Sequence, residues 1–244
     1  MPRFFIPNIS LKDQNIIISA ADEAHHIVRV LRLKTGDDVE LINGLGTLAR
    51  GVITRILDHE VFIRINDCLT MKPREKGRII LACALPKKAK FEVILEKCTE
   101  LGVDEIIPMM TERTEVRPHS GGGKEERFEK VIVNASKQSK RLFFPILHPV
   151  MTFDDVLTRF ASPERVVFIP WLEGNRISLK DAVSRNPSSK DFLVLIGPEG
   201  DFTSQEVERS IERGALAVTL GDNTLKVDTA ATAVVAGLRL FCDA

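Results

Sequence analysis

The strongest constraint on this chain is a change of hydrophobic rhythm near residue 75. Before it, apolar and polar residues alternate in short runs: Asn15 to Ile18, Asp38 to Leu41, Thr47 to Ile53, and Glu60 to Ile65, where Val61, Ile63 and Ile65 share a face. A period of two belongs to strands with one face in a core, so these runs predict a small β-rich domain. Its one clear helix candidate is Asp22 to Leu31, with Asp22 able to cap free amides and Ile27, Val30 and Leu31 on one predicted face. The stretch TMKPREKG, Thr70 to Gly77, loses the periodicity, carries Pro, Gly and four charges, and reads as a linker. We place the domains at 1–72 and 73–244.

From Arg78 onward, apolar runs alternate with amphipathic segments. IILACALP reads as a buried strand, and Phe91, Ile94, Leu95, Cys98 and Leu101 then form a helical stripe that Gly102 stops. The strand DEIIPMM precedes a charged, Gly-rich loop and a helix with Phe128, Val131, Ile132 and Ala135 inward. Further strands are expected at Val166 to Ile169, Phe192 to Ile196 and Ala217 to Leu220. This is the pattern of an α/β domain with a mainly parallel sheet. After IGPEGD, Thr203 and Glu206 form a capping box and Phe202 and Val207 a hydrophobic staple, so a helix starts there. The last helix, near Asp228 to Phe241, opens on Ala230, Ala231, Ala233 and Ala236 with Gly237, small residues that let another backbone approach.

Charge and cysteine usage bound the chemistry. The 34 Lys and Arg balance 34 Asp and Glu, so no global field gathers nucleic acid and any basic surface has to be local. Cys68, Cys83, Cys98 and Cys242 form no CxxC pair and read as thiols in a reducing compartment. The N-terminus lacks the apolar core of a signal peptide and no stretch approaches a membrane span, which makes cytoplasm the expected location and excludes a membrane partner.

Two glycine-punctuated loops carry the best binding signals. Leu195-Ile196-Gly197-Pro198-Glu199-Gly200 lies between a strand and a helix, where open α/β sheets bind ligands; an ordinary tight turn is the alternative. Glu199 would repel a triphosphate. Leu220-Gly221 through Leu225, Lys226 and Asp228 to Thr229 is the second loop, with Asp228 also able to cap the last helix; Leu172-Glu173-Gly174 is a third, on what could be the same edge. No GxGxxG follows a strand, the Gly121-Gly122-Gly123-Lys124 run fails the phosphate-loop spacing, and no GxSxG elbow exists. His25, His26, His59, His119 and His148 have no ligand spacing, so no metal is expected.

Basic residues cluster three times: Arg29, Arg32 and Lys34; Lys72, Arg74, Lys76 and Arg78 with Lys87, Lys88 and Lys90; and Lys137, Lys140 and Arg141. Each is either a solvated face or part of a phosphate-tracking surface, and convergence is not written in the sequence. With no Tyr and one Trp, Trp171, stacking along a single strand is not supported.

Taken together, His26-Ile27-Val28-Arg29-Val30-Leu31-Arg32, Lys97-Cys98-Thr99-Glu100-Leu101-Gly102-Val103 with Ile107-Pro108, Gln138-Ser139 with Arg141, Ile196-Gly197-Pro198-Glu199-Gly200, and Leu220-Gly221 through Leu225-Lys226 to Thr229-Ala230 resemble the bacterial small-subunit ribosomal RNA uridine N3-methyltransferases. That family is a branch of the knotted, S-adenosylmethionine-dependent methyltransferases, and the likeness spans nearly the whole chain. Asp201 stands where the family usually has a second glycine, and Lys226 and Asp228 where it has Arg and Glu. The resemblance implies a PUA-like N-terminal β-barrel, a C-terminal trefoil-knotted sheet, a homodimer and 16S ribosomal RNA as partner, within the small subunit. It implies S-adenosyl-L-methionine held without metal by residues 172–174, 195–200 and 220–229. Arg141, Glu199 and Asp228 are the candidate catalytic residues; Arg29, Arg32, Lys34, Lys72, Arg74, Lys87 and Lys88 are the candidate RNA contacts. A non-catalytic RNA-binding assembly protein and a small-molecule methyltransferase remain as alternatives.

Overall fold

A computed structural model describes residues 1–9, 14–19, 21–57, 60–75, 77–87, 90–116, 123–186 and 191–242. They form two compact units, Met1–Pro73 with Ser136–Phe144, and Arg74–Ala135 with Pro145–Ala244.

The first unit is a five-stranded sheet of β1 (Arg3–Phe5), β2 (Asn15–Ile18), β3 (Asp38–Ile42), β4 (Thr47–Leu57) and β5 (Glu60–Thr70), in the order β1-β3-β4-β5-β2. The alternation does what its period requires: Ile16 and Ile18 of β2 and Val61 and Ile63 of β5 point inward, onto a core with Phe4, Leu41 and Ile53. Register shifts at Arg50/Gly51 and Ile53/Arg55 put bulges into β4, and bulges bend a long hairpin around its own core. The strand β1, pairing parallel with β3, was not foreseen.

The helix candidate departs from expectation. Helix α1 (Ala21–His25) widens into a π-helical turn over His26–Val30, where Leu31 N–H donates to His26 O at 2.9 Å. A π turn holds more residues per revolution than an α turn. Ile27 therefore stays fully buried, while Val30 and Leu31, predicted on the same face, are 60% and 41% exposed.

Ser136–Phe144 joins this unit through Gly46 N–H to Leu142 O and Phe144 N–H to Gly44 O, both 2.9 Å. Gly46 has φ 99°, and a Cβ there would overlap the Phe143 ring, so only glycine serves.

The second unit is built from β6 (Arg78–Ala84), α2 (Lys90–Glu100), β7 (Glu105–Met110), all but the last turn of α3 (Gly123–Gln138), β8 (Ile146–Leu147), β9 (Met151–Thr152), α4 (Phe153–Phe160), β10 (Arg165–Pro170), β11 (Ile177–Ser178), α5 (Leu179–Ser184), β12 (Asp191–Ile196), α6 (Ser204–Glu212), β13 (Leu216–Thr219) and α7 (Val227–Cys242). Its sheet runs β11-β13-β10-β12-β6-β7-β8, with β9 also on β7, and every pairing among the described residues is parallel. Strands β6 and β12 are buried along almost their whole length, as a parallel sheet covered on both faces demands. The capping box at Thr203 and Glu206 is present, and Phe202 and Val207 are buried in one core cluster. On α7, Gly237 lies where a Cβ would come 3.2 Å from Leu179 Cδ2 of α5, so part of the small-residue face is taken up inside the unit.

Charged groups cross-link the amino edge of this sheet. Arg78 donates to Asp191 Oδ2 at 2.8 Å and pairs with Glu105 at 3.5 Å, and His148 Nε2 lies 2.7 Å from Glu105 Oε2. Arg239 donates to Gly77 O and Gly102 O and pairs with Asp104. Arg78, grouped above with the linker cations, is thus committed to the sheet. Among the described residues, no helix is long and apolar enough to cross a membrane.

Candidate active site

Strands β13, β10 and β12 are neighbours and run parallel, so their carboxyl ends release three loops on one edge. Between these loops lies a cavity of about 290 Å³. Of the residues singled out from sequence, Leu172, Ile196, Gly197, Pro198, Glu199, Leu220, Gly221, Leu225 and Lys226 line it. Leu195 is buried inside β12, and Gly200 presents its carbonyl to Arg113 Nη1 at 2.7 Å. Glu173, Gly174 and Thr229 are exposed positions outside the lining. Gly174 has φ 68°, and a Cβ there would come 2.7 Å from the Trp171 ring, so the tryptophan can fold over its own loop.

Asn223, Thr224 and Val227, within the expected stretch 220–229, also line it, whereas sequence reasoning missed Lys90, Trp171, Arg176, Asp201, Thr219 and Ala230. Lys90 follows β6, the next strand along the sheet, so extending the carboxyl-edge rule by one strand would have found it. Trp171 and Asp201 adjoin the motifs that were noticed. Arg176 has no signal in the sequence.

The acidic residues differ sharply. Glu199 Oε1 accepts Lys87 N–H at 3.1 Å and lies 3.8 Å from Lys90 Nζ, so it ties the turn after β12 to the connection after β6. Asp228 sits in the first turn of α7, and its Oδ1 is buried with no hydrogen-bond partner among the described residues. A buried, unsatisfied carboxylate oxygen calls for an explanation. Cys83, at the end of β6, feels both groups: burial above all, then Cys98, Glu199 and Asp228, push its thiol well up, so it stays a neutral thiol. Asp201 adopts φ 58°, which costs a non-glycine residue roughly 1–2 kcal/mol. Burial pushes its carboxyl up, against hydrogen bonds from Phe202 and Leu172 N–H and the charge of Arg113.

The remaining candidates lie elsewhere. Arg141 belongs to the first unit, where its Nε donates to Phe143 O at 3.0 Å. Arg29, Arg32 and Lys34 are exposed on and after the π turn, with Arg32 at φ 54°. Lys72 and Arg74 are exposed, and Lys87 pairs with Glu115 at 2.7 Å. Lys137 pairs with Glu23 at 2.7 Å with little of either side chain exposed, which makes it a structural contact. Lys76, Lys88, His59, His119, Gly121 and Gly122 lie outside the described residues. No group of three or more His, Cys, Asp or Glu among the described residues is arranged to hold a metal.

Comparison with known proteins now bears on this site. Residues 73–239 match the RNA methyltransferase domain, and residues 18–66 the RNA methyltransferase PUA domain. The chain is 30% identical to ribosomal RNA small subunit methyltransferase E of Bacillus subtilis, over 94% of this chain and 93% of that protein. The chain belongs to the ribosomal RNA small subunit methyltransferase E family. The family member of Rickettsia conorii is 29% identical over 98% of this chain and 95% of its own length. The family member of Neisseria gonorrhoeae, solved bound to S-adenosyl methionine, superposes with a TM-score of 0.87 at 27% identity, covering 98% of this chain and 97% of that one. The family's fold, a PUA-like sheet followed by a mainly parallel α/β domain, is the one described above.

Proposed function

We propose that this chain transfers a methyl group from S-adenosylmethionine to N3 of one uridine in 16S ribosomal RNA. The observation that carries the reading is the cavity at the carboxyl edge of β10, β12 and β13, in a chain of this family. Its walls fit the donor. Backbone at Gly197 and Gly221 allows close approach, Leu172, Leu225 and Val227 offer apolar surface for a base, and Thr219 and Asn223 offer polar groups. Glu199 and Asp201 bring negative charge to a wall that also holds Lys90, Arg176 and Lys226.

When bound, the cofactor supplies an already activated methyl group, so the chain's own residues have to orient the reactants and manage one proton. Uracil N3 is protonated at neutral pH, its pKa lying roughly two units higher, so a proton acceptor raises the rate. Asp228, outside the lining but next to the lining residue Val227, is the proposed acceptor: its Oδ1 has no partner among the described residues, whereas Glu199, which lines the cavity, is held by Lys87 N–H. Arg141 is the proposed cation at a uracil carbonyl oxygen, where it would stabilise the developing anion. Arg29 and Arg32 are assigned to RNA phosphates, which set most of such affinity without reading sequence. The active species is proposed to be a cytoplasmic homodimer.

Radioactive methyl incorporation into small ribosomal subunits, beside free nucleosides, tests the reading. Label at N3 of uridine in the RNA is expected. Binding without transfer would point to an assembly protein, and turnover on free nucleosides to a small-molecule enzyme. Titration with S-adenosylhomocysteine in chelator checks metal-independent binding.

A further inference from the structure

Asp201 is a residue of the cavity wall with no assigned part in orienting the uracil or moving the proton. Its backbone closes the turn after β12, with Asp201 N–H donating to Pro198 O at 3.0 Å, in a left-handed conformation that favours glycine. Its side chain faces back across that turn. Oδ1 accepts Phe202 N–H at 2.8 Å, and a Cβ on Gly197 would come 3.3 Å from it, so the carboxylate packs against the backbone that forms the wall. Oδ2 accepts Leu172 N–H at 3.3 Å from the neighbouring loop. Among the described residues, no Lys or Arg forms an ion pair with it.

Two unfavourable features therefore coincide at one position: a strained backbone and a carboxylate partly taken out of water, with Arg113 acting on it only through its charge and not as an ion pair. Such strain concentrates at functional sites, where the surroundings hold it. The gain is visible in the loop it reaches. Residues 171–174 are fastened by Trp171 N–H to Val218 O at 3.2 Å, Arg176 Nη1 to Trp171 O at 3.0 Å, and Leu172 N–H to Asp201. The third of these bonds alone ties the loop to the turn after β12.

We propose that Asp201 is a positioning residue for the methyl donor, its carboxylate latching the 171–174 loop onto the 197–201 turn so that Leu172 closes one wall of the cavity. This rests on the reading that the cavity holds S-adenosylmethionine. A latch that fixes a loop in its bound form lowers the ordering needed at binding and slows escape of the ligand.

The test is Asp201→Gly, which suits the left-handed backbone and removes the latch, beside Asp201→Asn, which keeps an acceptor for Leu172 N–H. S-adenosylhomocysteine affinity and off-rate, melting temperature, and exchange of the Leu172 amide are measured on the whole chain. Asp201→Gly is expected to weaken affinity about tenfold, mainly through a faster off-rate, with faster Leu172 exchange and an unchanged or higher melting temperature. Asp201→Asn should recover part of the affinity. Wild-type affinity in Asp201→Gly, or an affinity loss that only tracks a fall in melting temperature in both variants, overturns the proposal. If the wild-type chain binds no S-adenosylhomocysteine, the cofactor reading falls and this one with it; if it binds and Asp201→Gly binds equally well, only the latch falls.

Discussion

The two edges of the parallel sheet treat charge in opposite ways. At the amino edge, Arg78, Asp191, Glu105, His148, Asp104 and Arg239 are cross-linked by short bonds. At the carboxyl edge, Asp228 keeps a buried oxygen without a partner among the described residues, Asp201 is strained and desolvated, and Glu199 has a lysine only at 3.8 Å. The same fold supplies both edges, so the difference is one of use: one edge holds the strands in register with ion pairs, and the other spends its carboxylates on the backbone of the cavity loops or, at Asp228 Oδ1, leaves one without a partner among the described residues.

If that contrast is sound, substitutions at the two edges should separate activity from stability. The largest effect is expected for Asp228→Asn, which removes the proposed proton acceptor at nearly constant shape. Single-turnover methyl transfer should fall by about 10²-fold or more, the range for a lost general base, while the melting temperature holds or rises. An unchanged single-turnover rate would take Asp228 out of the reaction.

Next comes the division between two arginines of the first unit. Arg141→Ala should lower single-turnover transfer at saturating RNA and cofactor by roughly a hundredfold, the size of a lost oxyanion donor. Arg32→Ala should instead weaken RNA binding and reduce its salt slope by about one, leaving the transfer step alone. Stopped transfer time courses beside RNA titrations at two salt concentrations read both. Equal chemistry in folded Arg141→Ala would leave this arginine as a support for Phe143 O.

The amino edge should answer in the other currency. Arg78→Ala takes from Asp191 and Glu105 the guanidinium they share. Breaking a buried pair costs about 3–5 kcal/mol, and the partial exposure of Arg78 reduces the expected loss to about 2 kcal/mol. Urea denaturation measures it, and the transfer rate per folded molecule should match wild type.

Much of this was legible in the sequence, for identifiable reasons. The strands of the first unit follow from the period of two, α6 from its capping box, and the binding edge from glycines beside β12 and β13. What failed depends on tertiary context. The π turn after α1 moved Val30 and Leu31 outward, because a hydrophobic stripe is counted on an α period. The joining of Ser136–Phe144 to the first unit rests on Phe143 and Phe144 against Gly46 and Gly44, contacts with no local periodicity. Two- and six-residue elements such as β8, β11 and α5 are too short to carry a pattern. Asp201 was noticed only as a departure from glycine, since its latch to Leu172 is visible only once the loops are side by side.

The smallest expected effect compares Asp201 with Glu40 of the first unit through pH. Burial raises the Asp201 carboxyl above its ordinary 3.8, so the folded state holds that proton more tightly than the unfolded one. Its contribution to stability is complete below 3.8 and lost as pH rises through the raised value. Glu40 runs the other way. Burial pushes its carboxyl up, but the hydrogen bond and charge of Arg3, at 2.7 Å, together with Arg50, hold it below its ordinary 4.5. That contribution is present above 4.5 and lost as pH falls through the lowered value. On acidification, wild type should therefore gain on Asp201→Asn and lose its advantage over Glu40→Gln. Melting temperatures of the three proteins between pH 7 and pH 3 measure both slopes. If the Asp201→Asn difference kept its size across that range, the carboxylate would not be desolvated in the fold, and the contrast between a strained carboxyl edge and a paired remainder would lose one of its three supports.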